Sequence, residues 1–198
     1  MPLKAGDVLE NRYRIEELLG KGGMGAVYRA SHLSLKVPVA IKVNLLQSAT
    51  AQRQFSREAG LLASLRHPSL PHVNDFFCIE GQGQYLVMEY IEGLDLEQVR
   101  SSQGALPLDQ ALDWIGHVLD ALEYLHSKKV IHRDVKPSNI KITDEGQVVL
   151  VDFGLAKEYD PTTLGARGVT PDYAPLEQYG HGRTDARTDV YAVGATLC

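Results

Sequence analysis

The chain has 198 residues, of which 44% are hydrophobic, with 20 basic and 25 acidic side chains and a net charge of −5. That length suits one ordinary domain with a core of its own, and the acidic balance removes any bulk electrostatic case for nucleic acid or an anionic membrane surface. No apolar run reaches the ~20 residues of a membrane helix, M-P-L-K-A-G-D lacks a signal peptide's apolar stretch, and Cys78 and Cys198 form neither a metal-ligand spacing nor a disulfide framework.

The expectation is a soluble domain in a reducing compartment, the cytoplasm. A membrane anchor beyond Cys198 in a longer parent is left open.

Residues 13–44 read as strands: Tyr13 to Leu19, Ala26 to Ala30 and Val37 to Val43, β-branched and aromatic between glycine-rich breaks. The first break is Gly20-Lys21-Gly22-Gly23-Met24-Gly25. G-x-G-x-x-G alone is weak evidence, because a bland turn also explains it. A dinucleotide-binding loop would open a helix and meet an acidic residue ~20 positions later. Here Ala26-Val27-Tyr28-Arg29-Ala30 reads as a strand, and no Asp or Glu lies between Glu17 and Glu58. Strand, glycines, strand is a hairpin whose backbone can lie over phosphates. Lys21, Arg29 and Lys42 make it cationic. In isolation Lys42, at the end of V-A-I-K, would be a solvated strand lysine.

Gln52 to Leu65 changes to helical spacing, with Phe55, Ala59, Leu62 and Leu65 on one face and Glu58 its only acid. H-P-S-L-P breaks that helix at Pro68, and further strands follow, including Gln84 to Tyr90. E-G-L-D-L then connects to a strongly helical stretch from Leu108, where Leu112, Ile115, Leu119, Leu122 and Leu125 recur at three and four. No repeat of 20–50 residues and no low-complexity tract is present.

From Val130 the chain reads V-I-H-R-D-V-K-P-S-N-I-K-I, turns at D-E-G, and continues V-V-L-V-D-F-G. A loop carboxylate, Asp134, that can accept a hydroxyl proton, with Asn139 and Asp152 able to hold Mg²⁺, is the apparatus of phosphoryl transfer. His-Arg-Asp-x-x-x-x-Asn followed by Asp-Phe-Gly closely resembles the protein kinase family. Any one of these residues alone would be an ordinary surface side chain. Their joint order and spacing is what carries the resemblance.

The resemblance implies a bilobal α+β fold, with a small β-rich N-lobe containing one helix and a mainly helical C-lobe. The domain would span 13–198, with 13–91 as N-lobe and hinge and 92–198 as a partial C-lobe. Lys42 would hold the α- and β-phosphates of ATP while paired to Glu58. Leu19, Gly20, Lys21, Gly22, Gly23, Met24, Gly25, Ala26 and Val27 would cover the nucleotide, with Val27 and Ala40 pressing on the base. Met88 would line the back of the pocket, the Glu89 carbonyl and Ile91 amide would face the base, and Asp95 would meet the ribose. Lys141 stands where many relatives carry Leu; its stem can still pack while its head reaches water.

By the same resemblance Asp134 orients or deprotonates the substrate hydroxyl and Lys136 neutralises charge on the transferred phosphoryl. Asn139 and Asp152 hold Mg²⁺. His132 and Phe153 read as packing links toward Asp189. The segment from Asp152 to Glu177 departs from the family pattern at Val169-Thr170-Pro171, at Pro175-Leu176-Glu177, and at Ala166, where many relatives place a phosphorylated residue. Arg133 and Lys157 remain as a basic pair for a phosphate, Thr162 and Thr163 are the nearest acceptors for self-phosphorylation, and Thr170 positions substrate and Asp134. R-T-D-V-Y-A-V-G-A-T-L-C resembles the start of the large lobe's central helix, with Asp189 inward. The helices that normally follow, which also supply a basic partner for Glu177, would lie beyond Cys198. The final helix is therefore expected to expose Val190, Val193 and Leu197.

The expected activity is transfer of the γ-phosphoryl of Mg²⁺–ATP to Ser or Thr of a protein substrate, in the style of a bacterial-type kinase. The alternative is a nucleotide-binding fragment without catalysis. A dinucleotide-dependent oxidoreductase fails on the missing acid and on strand order.

Overall fold

The computed structural model describes residues 2–21, 25–44, 46, 48–152, 157–158 (backbone alone), 170–179 and 184–198. They fall into two units, Met1–Leu65 with His72–Tyr90, and Arg66–Pro71 with Ile91–Cys198.

The first unit is built on strand alternation. β1 (Val8–Leu9), β2 (Tyr13–Lys21), β3 (Gly25–His32), β4 (Val37–Asn44), α1 (Ala49–Ser64), β5 (Val73–Ile79) and β6 (Gly83–Glu89) follow in order. The strands form one antiparallel sheet, ordered β1-β2-β3-β4-β6-β5. Val39, Ile41 and Val43 of β4 enter a core with Tyr28, Ala30 and Val87. Because side chains alternate along a strand, Ala40 and Lys42 face the other way. On β5 and β6, Phe77 stacks on Tyr85 at 5.1 Å and on Tyr13 at 5.8 Å.

Helix α1 starts earlier than its apolar spacing predicts because Ser48 caps it, accepting from the Ala51 N–H at 3.2 Å. Its apolar stripe, Phe55, Ala59 and Leu62, is buried as expected. Phe55 meets Phe76 of β5 at 6.2 Å. A polar chain adds orientation: Asn44 Nδ2 donates to Gln84 Oε1 at 3.1 Å, and Gln84 Nε2 donates to Ser56 Oγ at 2.7 Å. α1 is thereby placed on the strands that carry Lys42 and its neighbours.

The second unit contains β7 (Leu94–Asp95), α2 (Leu96–Gln103), α3 (Leu108–Ser127), β8 (Val130–Ile131), β9 (Ile140–Ile142), β10 (Val148–Leu150), β11 (Lys157–Glu158) and α4 (Ala186–Leu197). The strands pair as β10-β9-β7 and β11-β8. Segment 66–71 belongs here: the Arg66 N–H donates to the Tyr124 hydroxyl at 2.9 Å and the Leu150 N–H to the Ser69 carbonyl at 2.9 Å.

α2 escapes sequence periodicity because it is short. What starts it is a capping box between Asp95 and Gln98. In α3 the predicted stripe divides. Ile115, Leu122 and Leu125 are buried with Val118 and Ala121, whereas Leu112 and Leu119 are exposed. At 3.6 residues per turn these two leucines lie at one edge of an apolar arc wider than the buried face. α4 divides similarly: Val190 and Leu197 are exposed, but Val193, one turn from Asp189, is buried with it. The expected exposure of Val193 therefore does not hold.

Candidate active site

In the first unit the β2–β3 hairpin pairs Gly20 with Val27 and Lys21 with Ala26. Gly25 opposes Asn44, and a Cβ there would lie 2.2 Å from the Val43 carbonyl oxygen, so only glycine permits this approach. Leu19 and Lys21 are exposed; Gly22, Gly23 and Met24 lie outside the described residues. The ladder sets Val27 beside Lys42 and Ala40 beside Met88. Lys42 Nζ meets Glu58 Oε1 at 2.9 Å, with only 14% and 11% of the two side chains exposed. A strand lysine in water would need no such partner, so the solvated reading of Lys42 falls. Glu89 is tied to His72: its N–H donates to the His72 carbonyl at 2.8 Å, and its carboxylate accepts from the His72 N–H at 3.2 Å.

In the second unit Ile91 is half-buried and Asp95 caps α2, accepting from the Gln98 N–H at 2.8 Å through Oδ1. Opposite Asp95 in register is Lys141. Its ammonium is not left to water but donates to the Gly93 carbonyl at 2.7 Å. Gly93 has φ +130°, and a Cβ there would lie 2.1 Å from the Ile142 carbonyl oxygen.

The loop between β8 and β9 has no ladder to satisfy its backbone, and buried side chains do so instead. Asp189, fully buried on α4, accepts from the His132 N–H at 2.9 Å and the Arg133 N–H at 2.7 Å, and meets His126 Nε2 at 2.8 Å. Arg133 holds φ +69°, unusual for a residue with a Cβ. Burial pushes its guanidinium below the ordinary range, against the opposing pull of Asp189.

Within this frame the Asp134 carboxylate is held at three points. Thr170 Oγ1 donates to Oδ1 at 2.8 Å, while Lys136 Nζ and Asn139 Nδ2 both lie 2.9 Å from Oδ2. Lys136 Nζ also reaches Thr170 Oγ1 at 3.1 Å. Asn139 Nδ2 additionally donates to the Asp134 carbonyl at 2.8 Å, which leaves its Oδ1 as the amide atom suited to a cation. The Val151 N–H donates to the Asn139 carbonyl at 2.8 Å and so brings exposed Asp152 (φ +64°) next in chain.

A carboxylate and an amide oxygen suit Mg²⁺, which takes one or two protein carboxylates and completes its shell with phosphate and water. Among the described residues no group of three or more His, Cys, Asp or Glu could cage a metal by itself. Phe153, Thr162, Thr163, Ala166 and Val169 lie outside the described residues, as does the Lys157 side chain. Glu177 accepts from Thr188 Oγ1 at 3.1 Å rather than from a basic residue. His126 and Gln178 escaped sequence reasoning: each bonds across 63 and 45 residues respectively, and no local spacing announces such a partner.

The first unit carries a lysine paired with a helix glutamate on an antiparallel sheet, and the second an Asp–Lys–Asn loop framed by a buried aspartate, each a feature of a protein kinase domain. The family model described as "Protein kinase domain" matches residues 13–198, and the chain belongs to that family. It is 38% identical to a probable serine/threonine-protein kinase of Clostridium perfringens over 97% of its length, 37% identical to pkn3 of Myxococcus xanthus over 97%, and 38% identical to PknA of Mycobacterium tuberculosis over 98%. The last two are also named serine/threonine-protein kinases. The chain spans 29%, 38% and 47% of those three relatives.

Proposed function

We propose that this chain is the catalytic portion of a bacterial-type serine/threonine protein kinase, transferring the γ-phosphoryl of ATP to hydroxyls of protein substrates. The observation that carries the reading is the Asp134 carboxylate, held by Thr170, Lys136 and Asn139 within hydrogen-bonding distance. Asp134 accepts or orients the substrate hydroxyl, and Lys136 stands beside it to offset negative charge on the phosphoryl in flight. Thr170 fixes which way the carboxylate faces. Lys42, oriented by Glu58, takes the nucleotide phosphates under the β2–β3 hairpin. Val27, Ala40, Met88, Glu89, Ile91, Asp95 and Lys141 are the base and ribose side of the same reading. Asn139 Oδ1 and Asp152 would hold Mg²⁺, which when bound neutralises phosphate charge.

The partner is a protein carrying a Ser or Thr acceptor, and the setting is signal transduction in the cytoplasm. Among the described residues no helix is long and apolar enough to cross a membrane. Thr162 or Thr163 is the self-phosphorylation site in this reading. It is supported by Arg133, whose buried Nε and Nη1 have no hydrogen-bond partner among the described residues.

The test is transfer of labelled phosphate from Mg²⁺–ATP to a Ser/Thr protein substrate by the full-length protein, with phosphosite mapping of the enzyme itself. ATP binding without transfer would favour the nucleotide-binding alternative. Modification confined to sites other than Thr162 and Thr163, with a Thr162→Ala/Thr163→Ala double variant fully active, would refute the self-phosphorylation site.

A further inference from the structure

Gln178 lies in the 3₁₀ turn Leu176–Tyr179, where burial runs against polarity. Leu176 is 76% exposed and Tyr179 44%, yet Gln178 is only 2% exposed. A buried primary amide is costly unless its hydrogen bonds are met. Gln178 Nε2 donates to the Arg133 carbonyl at 2.8 Å. The partner is a carbonyl oxygen, so the amide's NH₂ must face it, and the assignment of N and O follows from chemistry.

We propose that Gln178 is a positioning residue for Asp134, acting through the peptide bond that joins Arg133 to it. The inference rests on the kinase reading of Asp134. Arg133 is a non-glycine at φ +69°, a strained conformation that persists only where its surroundings over-determine it. Two buried side chains do so from opposite ends: Asp189 takes its N–H at 2.7 Å, and Gln178 holds its carbonyl at 2.8 Å. That carbonyl shares a peptide plane with the Asp134 N–H, whose own bond, to His132 Nδ1, is long at 3.3 Å. The shorter bond dominates, so Gln178 sets the tilt of the plane and hence the direction in which Asp134 leaves the chain. The neighbouring Glu177 is anchored to Thr188, so the same turn ties α4 to the catalytic loop.

The experiment uses the full-length protein with Gln178→Met, which keeps volume but has no donor, and Gln178→Leu, which removes donor and acceptor alike. We expect kcat to fall about 10- to 100-fold in both, the scale of misplacing a reacting group by a fraction of an ångström to one ångström. KM for ATP should stay within about twofold, since the nucleotide-phosphate lysine is untouched. Hydrogen exchange at the Arg133 and Asp134 amides should accelerate in both variants at matched melting temperature. An active parent with variants of parental kcat and unchanged exchange at these amides would overturn the inference while sparing the kinase reading. So would kcat loss that merely tracks a lost folded fraction. A folded parent that transfers no phosphate would instead overturn the kinase reading, and with it the catalytic part of this inference.

Discussion

The two units hold their key charged residues by different means. In the first, Lys42 sits on a strand fixed by ladder hydrogen bonds and an apolar core, and one partner, Glu58 on the next element, completes its setting. In the second, Asp134 sits on a loop, and its frame is a set of buried polar groups, His132, Arg133, Asn139, Gln178, Thr188 and Asp189. A strand inherits direction from its neighbours. A loop has no ladder, so each backbone N–H and C=O must be met individually, and side chains from distant elements supply the bonds. Under the proposed function, damage in the first unit should weaken phosphate anchoring by degrees, while damage in the second should disorder the Asp134 carboxylate.

The sharpest way to break that contrast is Asp134→Asn. Loss of the acceptor carboxylate should lower kcat about 10³-fold, the scale of general-base assistance, with ATP affinity nearly unchanged. Asp152→Ala should lose ATP affinity as well as rate, because in the proposed function its carboxylate would hold Mg²⁺. Calorimetric ATP titration beside a phosphotransfer assay checks both, and equal loss of binding in the two variants would sink the role assignment.

Next is Asp189→Ala. It leaves the His132 and Arg133 N–H groups without their buried acceptor, and His126 without its partner. A cost of about 3 kcal/mol is expected for uncovering buried groups that a charge had satisfied. Chemical denaturation reads it directly. A loss below about 1 kcal/mol would show that the loop does not depend on its polar frame.

Glu58→Gln sharpens the comparison from the other side. The Lys42–Glu58 pair is largely buried, and a charge-assisted bond is worth about 1.5–3 kcal/mol. KM for ATP should rise roughly 10-fold, while the apolar sheet keeps the melting temperature near the parent's. A collapse of stability comparable with that of Asp189→Ala would erase the distinction between the units.

The smallest effect expected is at Tyr13, in the first unit's aromatic cluster. Burial, then the hydrogen bond to Asp75, pushes its hydroxyl from 10.0 up to about 12. The neutral form is therefore favoured by folding. Its contribution is complete below pH ~10 and is lost as the pH rises through about 12. Tyr13→Phe should cost about 1 kcal/mol at neutral pH through the lost 2.9 Å bond to Asp75, and should flatten stability between pH 10 and 12. A parental alkaline limb in the variant would assign that titration elsewhere.

Much of this was legible in the chain because the signals are local. Alternation marked β2, β3 and β4, helical spacing marked α1 and α3, and H-R-D-x-x-x-x-N with D-F-G marked the loop. Glu58 was identifiable as the partner of Lys42 because it is the one acid on its helix. α2 was not legible, being too short for periodicity and started by a side-chain cap. The burial of Val193, the exposure of Leu112 and Leu119, and the bond from Lys141 to Gly93 were not legible either, since each depends on which face a neighbouring element covers.

The protein kinase family and the strand and helix types were readable along the chain, and Lys42, Asp134, Asn139 and Asp152 stood out there as the candidates, because motif spacing and side-chain periodicity are properties of neighbours in the chain. How Asp134 is held depends on contacts that form only on folding. Asp189, Gln178, Thr170 and His126 reach the loop or its frame across 36 to 63 residues. A hydrogen bond closes only where folding brings donor and acceptor within about 3 Å, and no pattern along the chain encodes that distance.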